Sequence, residues 1–175
     1  MKVSVISYSL TGNNDKLAEA LASSLTAPYV RIIDVGQRSN WRIAGDMLFK
    51  RTPRISPETV DPTGSDLLLF VGPVWMGQPA SPFRTIFKSL KSRMIPYAFV
   101  SISGGALGPH PKLGAGLEKM TGRKPEAVMD LQIAKLFLKD TKPNSKNTSA
   151  YQLTDKDVTL LKDMVMEEIG DLFKS

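Results

Sequence analysis

The chain has 175 residues, which suits one domain, residues 1–175, with a single sizeable core. It has no cysteine and one histidine, which excludes disulfides, thiolate metal sites, thiol nucleophiles and any multi-histidine metal centre. Lysine and arginine outnumber aspartate and glutamate by 23 to 17, a formal net charge of +6 that bears on partners rather than on fold.

The first apolar run, Val3–Ser7, reads as a strand. It leaves no room for a signal peptide, and no apolar run approaches membrane-spanning length, so a soluble, cytoplasmic protein without a membrane span is expected. Leu17, Leu21 and Leu25 recur every four residues and predict a helix. Between strand and helix lie Ser9, Leu10, Thr11, Gly12, Asn13 and Asn14, mostly small hydroxyl and amide side chains around one glycine. Gly12 permits a positive φ or close approach of a ligand. The first N–H groups of the helix have no partner of their own and lie at its positive end, a ready place for an anion. The lysine of a triphosphate loop is absent, as is the dinucleotide pattern G-x-G-x-x-G. A neutral, hydroxyl-rich loop suits one terminal phosphate. The same residues also suit a plain strand-to-helix turn capped by Asn or Thr, which needs no ligand.

Further apolar runs follow at Tyr29–Val35, Leu67–Val71, Ala98–Ile102 and Ala127–Ile133, at roughly the spacing of βαβ units. Leu67–Val71 is apolar throughout, as a strand buried on both faces should be. Alternating strands and helices predict an α/β fold, a parallel sheet with helices on both faces. In the irregular stretch 36–65, Ser39 caps a helix whose Trp41, Ala44, Gly45 and Leu48 share a face. Arg38, Arg42, Lys50, Arg51 and Arg54 face only Asp46 in opposition before Pro57. Two readings stand: a solvated helix followed by a Pro-rich loop, or a basic rim for a phosphorylated cosubstrate or an acidic partner. No nucleic-acid module is visible.

Pro73, Val74, Trp75, Met76 and Gly77 follow the third strand, at the sheet edge where open α/β folds bind ligands. Trp75 either stacks on a planar ring there or packs under its own loop. Ser81 as N-cap and Pro82 at N1 open the next helix, with Phe83, Ile86, Phe87 and Leu90 as its buried stripe. Ser103, Gly104, Gly105 and Gly108 follow the fourth strand, in a loop suited to main-chain contacts with a flat ligand. His110 reads either as a surface histidine beside a helix start or as a hydrogen-bond partner of a substrate. Leu113, Leu117 and Met120 mark a helix that Gly122 stops. Leu138–Ser149 reads as a polar, mobile loop. Thr154 and Asp157 form a capping-box variant, and Val158, Leu161, Val165, Ile169 and Leu172 the apolar face of a long last helix.

Ser9-x-Thr11-Gly12-Asn13-Asn14, directly after the first strand, resembles the phosphate loop S/T-x-T-G-N-T of flavodoxins and flavodoxin-like FMN proteins. Asn14 stands where that family usually has threonine. Gly72–Pro79 and Ser103–Gly108 are similar to the family's loops after the third and fourth strands. The resemblance implies a flavodoxin-like doubly wound five-stranded parallel sheet in the order 2-1-3-4-5. It also implies FMN, with Ser9, Leu10, Thr11, Gly12, Asn13 and Asn14 at the phosphate. Pro73, Val74, Trp75, Met76 and Gly77 would flank one side of the ring, and Ser103, Gly104, Gly105 and Gly108 the other side or its edge. No catalytic side chain and no metal is required, because the flavin carries the redox chemistry. Carrier flavodoxins are typically acidic and often shield the flavin with an aromatic in the third loop; this chain is basic and has none there. An FMN-dependent NAD(P)H oxidoreductase reducing a quinone or similar acceptor is therefore favoured, with the basic stretch meeting the nucleotide phosphates. The alternatives are an electron carrier docking on a redox partner protein, and a cofactor-free domain. The sequence leaves open the acceptor, NADH versus NADPH, and monomer versus homodimer.

Overall fold

The computed structural model describes residues 1–35, 45–46, 48–49, 51–105, 108–136 and 144–172. Ser39, Trp41 and the cations Arg38, Arg42 and Lys50 lie outside the described residues, as do Ala44, Ala106 and Leu107. In chain order the elements begin with β1 (Val3–Ser7), α1 (Asn13–Leu25), β2 (Tyr29–Arg31), β3 (Ile33–Asp34) and β4 (Ile55–Ser56). Next come β5 (Leu67–Val71), β6 (Val74–Trp75), β7 (Gln78–Pro79), α2 (Ser81–Leu90) and β8 (Tyr97–Ser103). The last are α3 (Leu113–Thr121), β9 (Ala127–Gln132), a 3-10 turn (Ile133–Lys135), α4 (Ser145–Ala150) and α5 (Asp155–Leu172).

The main sheet runs β2-β1-β5-β8-β9 with every neighbouring pair parallel. Counting only its own strands, that is the order 2-1-3-4-5. Alternation divides the core in two. Val3, Val5, Leu67, Leu69, Val71 and Val100 face α1 and α5, where Leu17, Leu21, Leu161, Val165 and Ile169 are buried. Ile6, Leu68, Phe70 and Phe99 face α2 and α3, whose Phe83, Ile86, Phe87, Leu90, Leu113 and Leu117 close the other layer. That layer is rich in edge-on aromatic pairs: Phe70 lies 5.1 Å from Phe87, 6.0 Å from Phe83 and 5.9 Å from Tyr97, centroid to centroid.

Four expectations change on folding. The run Tyr29–Val35 is not one strand. β1 ends at Ser7, so after Arg31 the chain loses its neighbour; Ile32 turns into the core with its N–H on Ser7 O, and Ile33–Asp34 pairs antiparallel with β4 instead. Ser81 is not the N-cap of α2: Ala80 takes that place, and Pro82 sits one position deeper with Ser81 fully buried. The stretch after the third strand holds a tight hairpin, β6–β7, turned by Met76 and Gly77 at φ 50 and 74, a sign pattern that matches sheet twist. Ser145–Ala150 is helical rather than loop, because Asn144 accepts from the amides of Lys146 and Asn147 while the Asn147 side chain accepts from Asn144 N–H. Thr154 and Asp157 do form the reciprocal cap of α5, and Gly122 ends α3 at φ 78. No helix among the described residues is long and apolar enough to cross a membrane.

Candidate functional site

β1 sits where the sheet order reverses: β2 lies on one side of it and β5 on the other, which opens a crevice at the carboxyl ends of the strands. A cleft of about 250 Å³ occupies it, lined by Leu10, Thr11, Asn13, Asn14, Pro73, Val74, Trp75, Ser103 and Gly104, and also by Ile102, Ile133, Thr148 and Ser149. Nine of the sequence-derived site residues thus converge on one place. Ser9, Gly12, Met76, Gly77, Gly105 and Gly108 do not line it.

Ser9 and Gly12 shape the first wall. Ser9 Oγ accepts from the amides of Gly12 at 2.9 Å and Asn14 at 3.2 Å, closing the turn. Gly12 is the N-cap of α1 at φ 93, a conformation that glycine adopts without strain. Having no side chain, Gly12 cannot cap the helix, and among the described residues the amides of Thr11 and Asn13 and the Thr11 hydroxyl have no partner. Those donors are what the loop presents to the cleft.

The two asparagine side chains are engaged elsewhere. Asn13 Nδ2 donates to Tyr151 O at 2.8 Å and its Oδ1 accepts from Leu153 N–H at 3.0 Å. Asn14 Oδ1 accepts from Ile102 N–H at 2.9 Å, with a longer contact of 3.4 Å from Nδ2 to Ile102 O. Asn13 therefore fixes the segment after α4, and Asn14 the end of β8. Behind the loop, buried Asp15 accepts from Ser7 Oγ at 2.6 Å and pairs with Arg31 Nε at 2.8 Å. Arg31 thus offsets a carboxylate that would otherwise weaken the positive end of α1. Burial raises the Tyr29 pKa, so its hydroxyl stays protonated beside Ser7 Oγ at 2.8 Å.

Trp75 is half-buried, edge-on to Tyr8 at 5.8 Å. Tyr8 donates to Asp34 Oδ2 at 2.7 Å. Met76, 77 % exposed, stands at the hairpin tip beyond the cleft. Arg84 holds the hairpin base: it donates to Gln78 Oε1 at 3.1 Å and to Asp46 O at 2.7 Å, and burial lowers its pKa. Beyond Ser103 and Gly104, which line the opposite wall, Gly105 has φ 71 and Gly108 φ 85, and Gly108 N–H donates to Gly105 O.

His110 has a partner that sequence reasoning did not name. Asp130 on β9 lies 2.8 Å from His110 Nδ1 and also accepts from Ser103 Oγ at 2.7 Å. Because a carboxylate only accepts, Nδ1 is the ring nitrogen that carries the donated proton. Thr148 and Ser149 were also missed. The pattern Asn144-x-x-Asn147 was a legible helix start, but nothing local marks its cleft contact.

This sheet order, with a helix N-terminus and a tryptophan facing one another across the switch point, defines the flavodoxin-like α/β fold. Among solved structures, the chain is similar to a flavoprotein in complex with FMN from Lactobacillus acidophilus NCFM, with TM-score 0.64 and 21% identity over 74% of this chain and 92% of that one. The apo-form of the flavoprotein from that organism matches with TM-score 0.59 and 24% identity, over 74% of this chain and 91% of that one. A candidate flavoprotein from Bacteroides eggerthii DSM 20697 matches with TM-score 0.64 and 16% identity, over 93% of this chain and 96% of that one. No family model matches the sequence, and no curated protein matches it.

Proposed function

We propose that this protein binds FMN in the cleft and acts as an NAD(P)H-dependent oxidoreductase on a quinone or similar acceptor. The observation that carries the reading is the pair of partnerless amides of Thr11 and Asn13, at the positive end of α1 in a cleft with Trp75 on its rim. The donor set fits a phosphate monoester: two amides and one hydroxyl, with no lysine for a longer phosphate chain. The cleft is slightly smaller than the usual range of about 300–1,000 Å³ for small-molecule sites, which suits a ligand whose outer edge stays open to a second reactant. FMN, when bound, supplies the hydride and electron chemistry.

The chain's own part is to hold and orient. The loop of α1 anchors the phosphate, and Trp75 and the Ser103–Gly104 turn flank the remaining space. Asp130 takes the Ser103 hydroxyl proton in a hydrogen bond, leaving Ser103 Oγ an acceptor toward the cleft, and holds the His110 ring through Nδ1. The positive net charge favours an enzyme over a carrier. Exposed Arg51 and Arg54 add to the attraction for an anionic nucleotide.

Two measurements test this. FMN titration, followed by flavin fluorescence, should give saturable binding. Thr11→Ala should weaken it by about 1 kcal/mol, roughly fivefold to tenfold, while riboflavin, lacking the phosphate, binds both proteins alike. Equal FMN affinity in the two proteins would remove the phosphate-loop assignment. In anaerobic stopped-flow, NADH or NADPH should bleach the bound flavin and a quinone restore it, more slowly at high salt. A flavin that stays oxidised with both nucleotides, yet is bleached through a separate reductase, would make the protein a carrier.

A further inference from the structure

A second cavity lies away from the cleft. It is a groove of about 440 Å³ between α2 and α3, within the usual range of about 300–1,000 Å³ for small-molecule sites. Its walls are mainly apolar, with half-buried Met120 and Gly116 of α3 at the surface and Phe87 buried beneath them. Its charged lining is Arg84, Lys88, Lys91 and Lys119, with no carboxylate among the described lining residues. Lys88, Lys91 and Lys119 are exposed and, among the described residues, have no hydrogen-bond or ion-pair partner. Three like charges around one apolar groove repel one another unless an anion lies between them. Gly116 of α3 leaves the groove open: a Cβ added there would meet nothing within 4 Å.

We propose that this groove is a binding site for a small amphipathic organic anion. The apolar body lies against Met120 and the Gly116 face of α3, and the carboxylate or equivalent acidic head meets the ammonium groups of Lys88, Lys91 and Lys119. Charge complementarity selects the anion, and the apolar walls select against a bare inorganic ion. Neither depends on what the cleft binds.

The test uses 1-anilinonaphthalene-8-sulfonate as the probe, on protein saturated with FMN and on protein without it. One saturable site is expected in both, displaced by decanoate but not by decanol. Gly116→Leu fills the groove from a position where the backbone is an ordinary helix and the side chain has space, so the variant should fold as the natural chain does, by circular dichroism. It should weaken the probe by about tenfold or more. The Lys88→Gln/Lys119→Gln variant should weaken it severalfold while leaving FMN affinity unchanged. Probe affinity unaltered by Gly116→Leu, displacement by decanol as good as by decanoate, or binding of an acidic peptide in place of decanoate would each overturn the assignment. Absence of FMN binding would count against the flavin reading and leave this result standing.

Discussion

Asn13→Ala is expected to destabilise the protein by about 2–4 kcal/mol, because it removes two backbone partners and leaves the amide of buried Leu153 without an acceptor. The contact spans the chain, from the N-terminus of α1 to the segment joining α4 and α5, so local structure does not replace it. A chain of this length should lose roughly 5–15 °C in Tm. Asn13→Asp separates the two halves of the clamp: it keeps the acceptor for Leu153 N–H but sets a carboxylate against Tyr151 O. Its cost should fall between that of alanine and the natural residue. Protease sensitivity should appear first within 144–153, the stretch that Asn13 ties down, and Thr148 and Ser149 would leave the cleft with it. Urea midpoints of Asn13→Ala within about 0.5 kcal/mol of the natural chain would show that the clamp contributes little.

Gly72→Ala should cost about 1–3 kcal/mol or more, through overpacking rather than backbone strain. A Cβ at Gly72 would lie 2.3 Å from Phe83 Cε2, 2.5 Å from Cζ and 3.1 Å from the Tyr8 carbonyl oxygen. Phe83 cannot yield: it is fully buried, stacked on Phe87 at 5.8 Å and edge-on to Phe70, Phe99 and Tyr8. The displacement would instead pass to Pro73 and Trp75, so FMN affinity should fall together with stability. Phe83→Leu alone leaves a void, but in combination with Gly72→Ala the void and the added methyl compensate, and the double variant should be more stable than the sum of the two predicts. Strict additivity in that cycle, or a Gly72→Ala protein as stable as the natural one, would refute the close-approach account.

The sheet was legible because its strands carry their own evidence. Leu67–Val71 is apolar at every position, and a helix of 3.6-residue period follows the first, third and fourth strands of the sheet. Parallel strands joined by helices leave few topologies, and the resemblance of Ser9–Asn14 to a phosphate loop selected among them. The convergence of Thr11, Trp75 and Ser103 followed from strand order, since Thr11 and Trp75 lie just beyond the carboxyl ends of β1 and β5 and Ser103 is the last residue of β8. What those residues do with their side chains was not legible. Asn13 and Asn14 carry the chemistry of phosphate donors, yet both face backbone about 90 to 140 residues away in sequence, and no local pattern reports such a partner.

Tertiary structure alone decided three further points: that Tyr29–Val35 divides between two sheets, that the helix Ser145–Ala150 brings Thr148 and Ser149 to the cleft, and that Asp130 joins Ser103 to His110. The sequence by itself determined periodicity, turn chemistry and charge, which are properties of neighbouring residues. Pairing, clamping and proton placement depend on groups brought together only when the chain closes, where one unmatched buried donor costs about as much as the local preference of several residues.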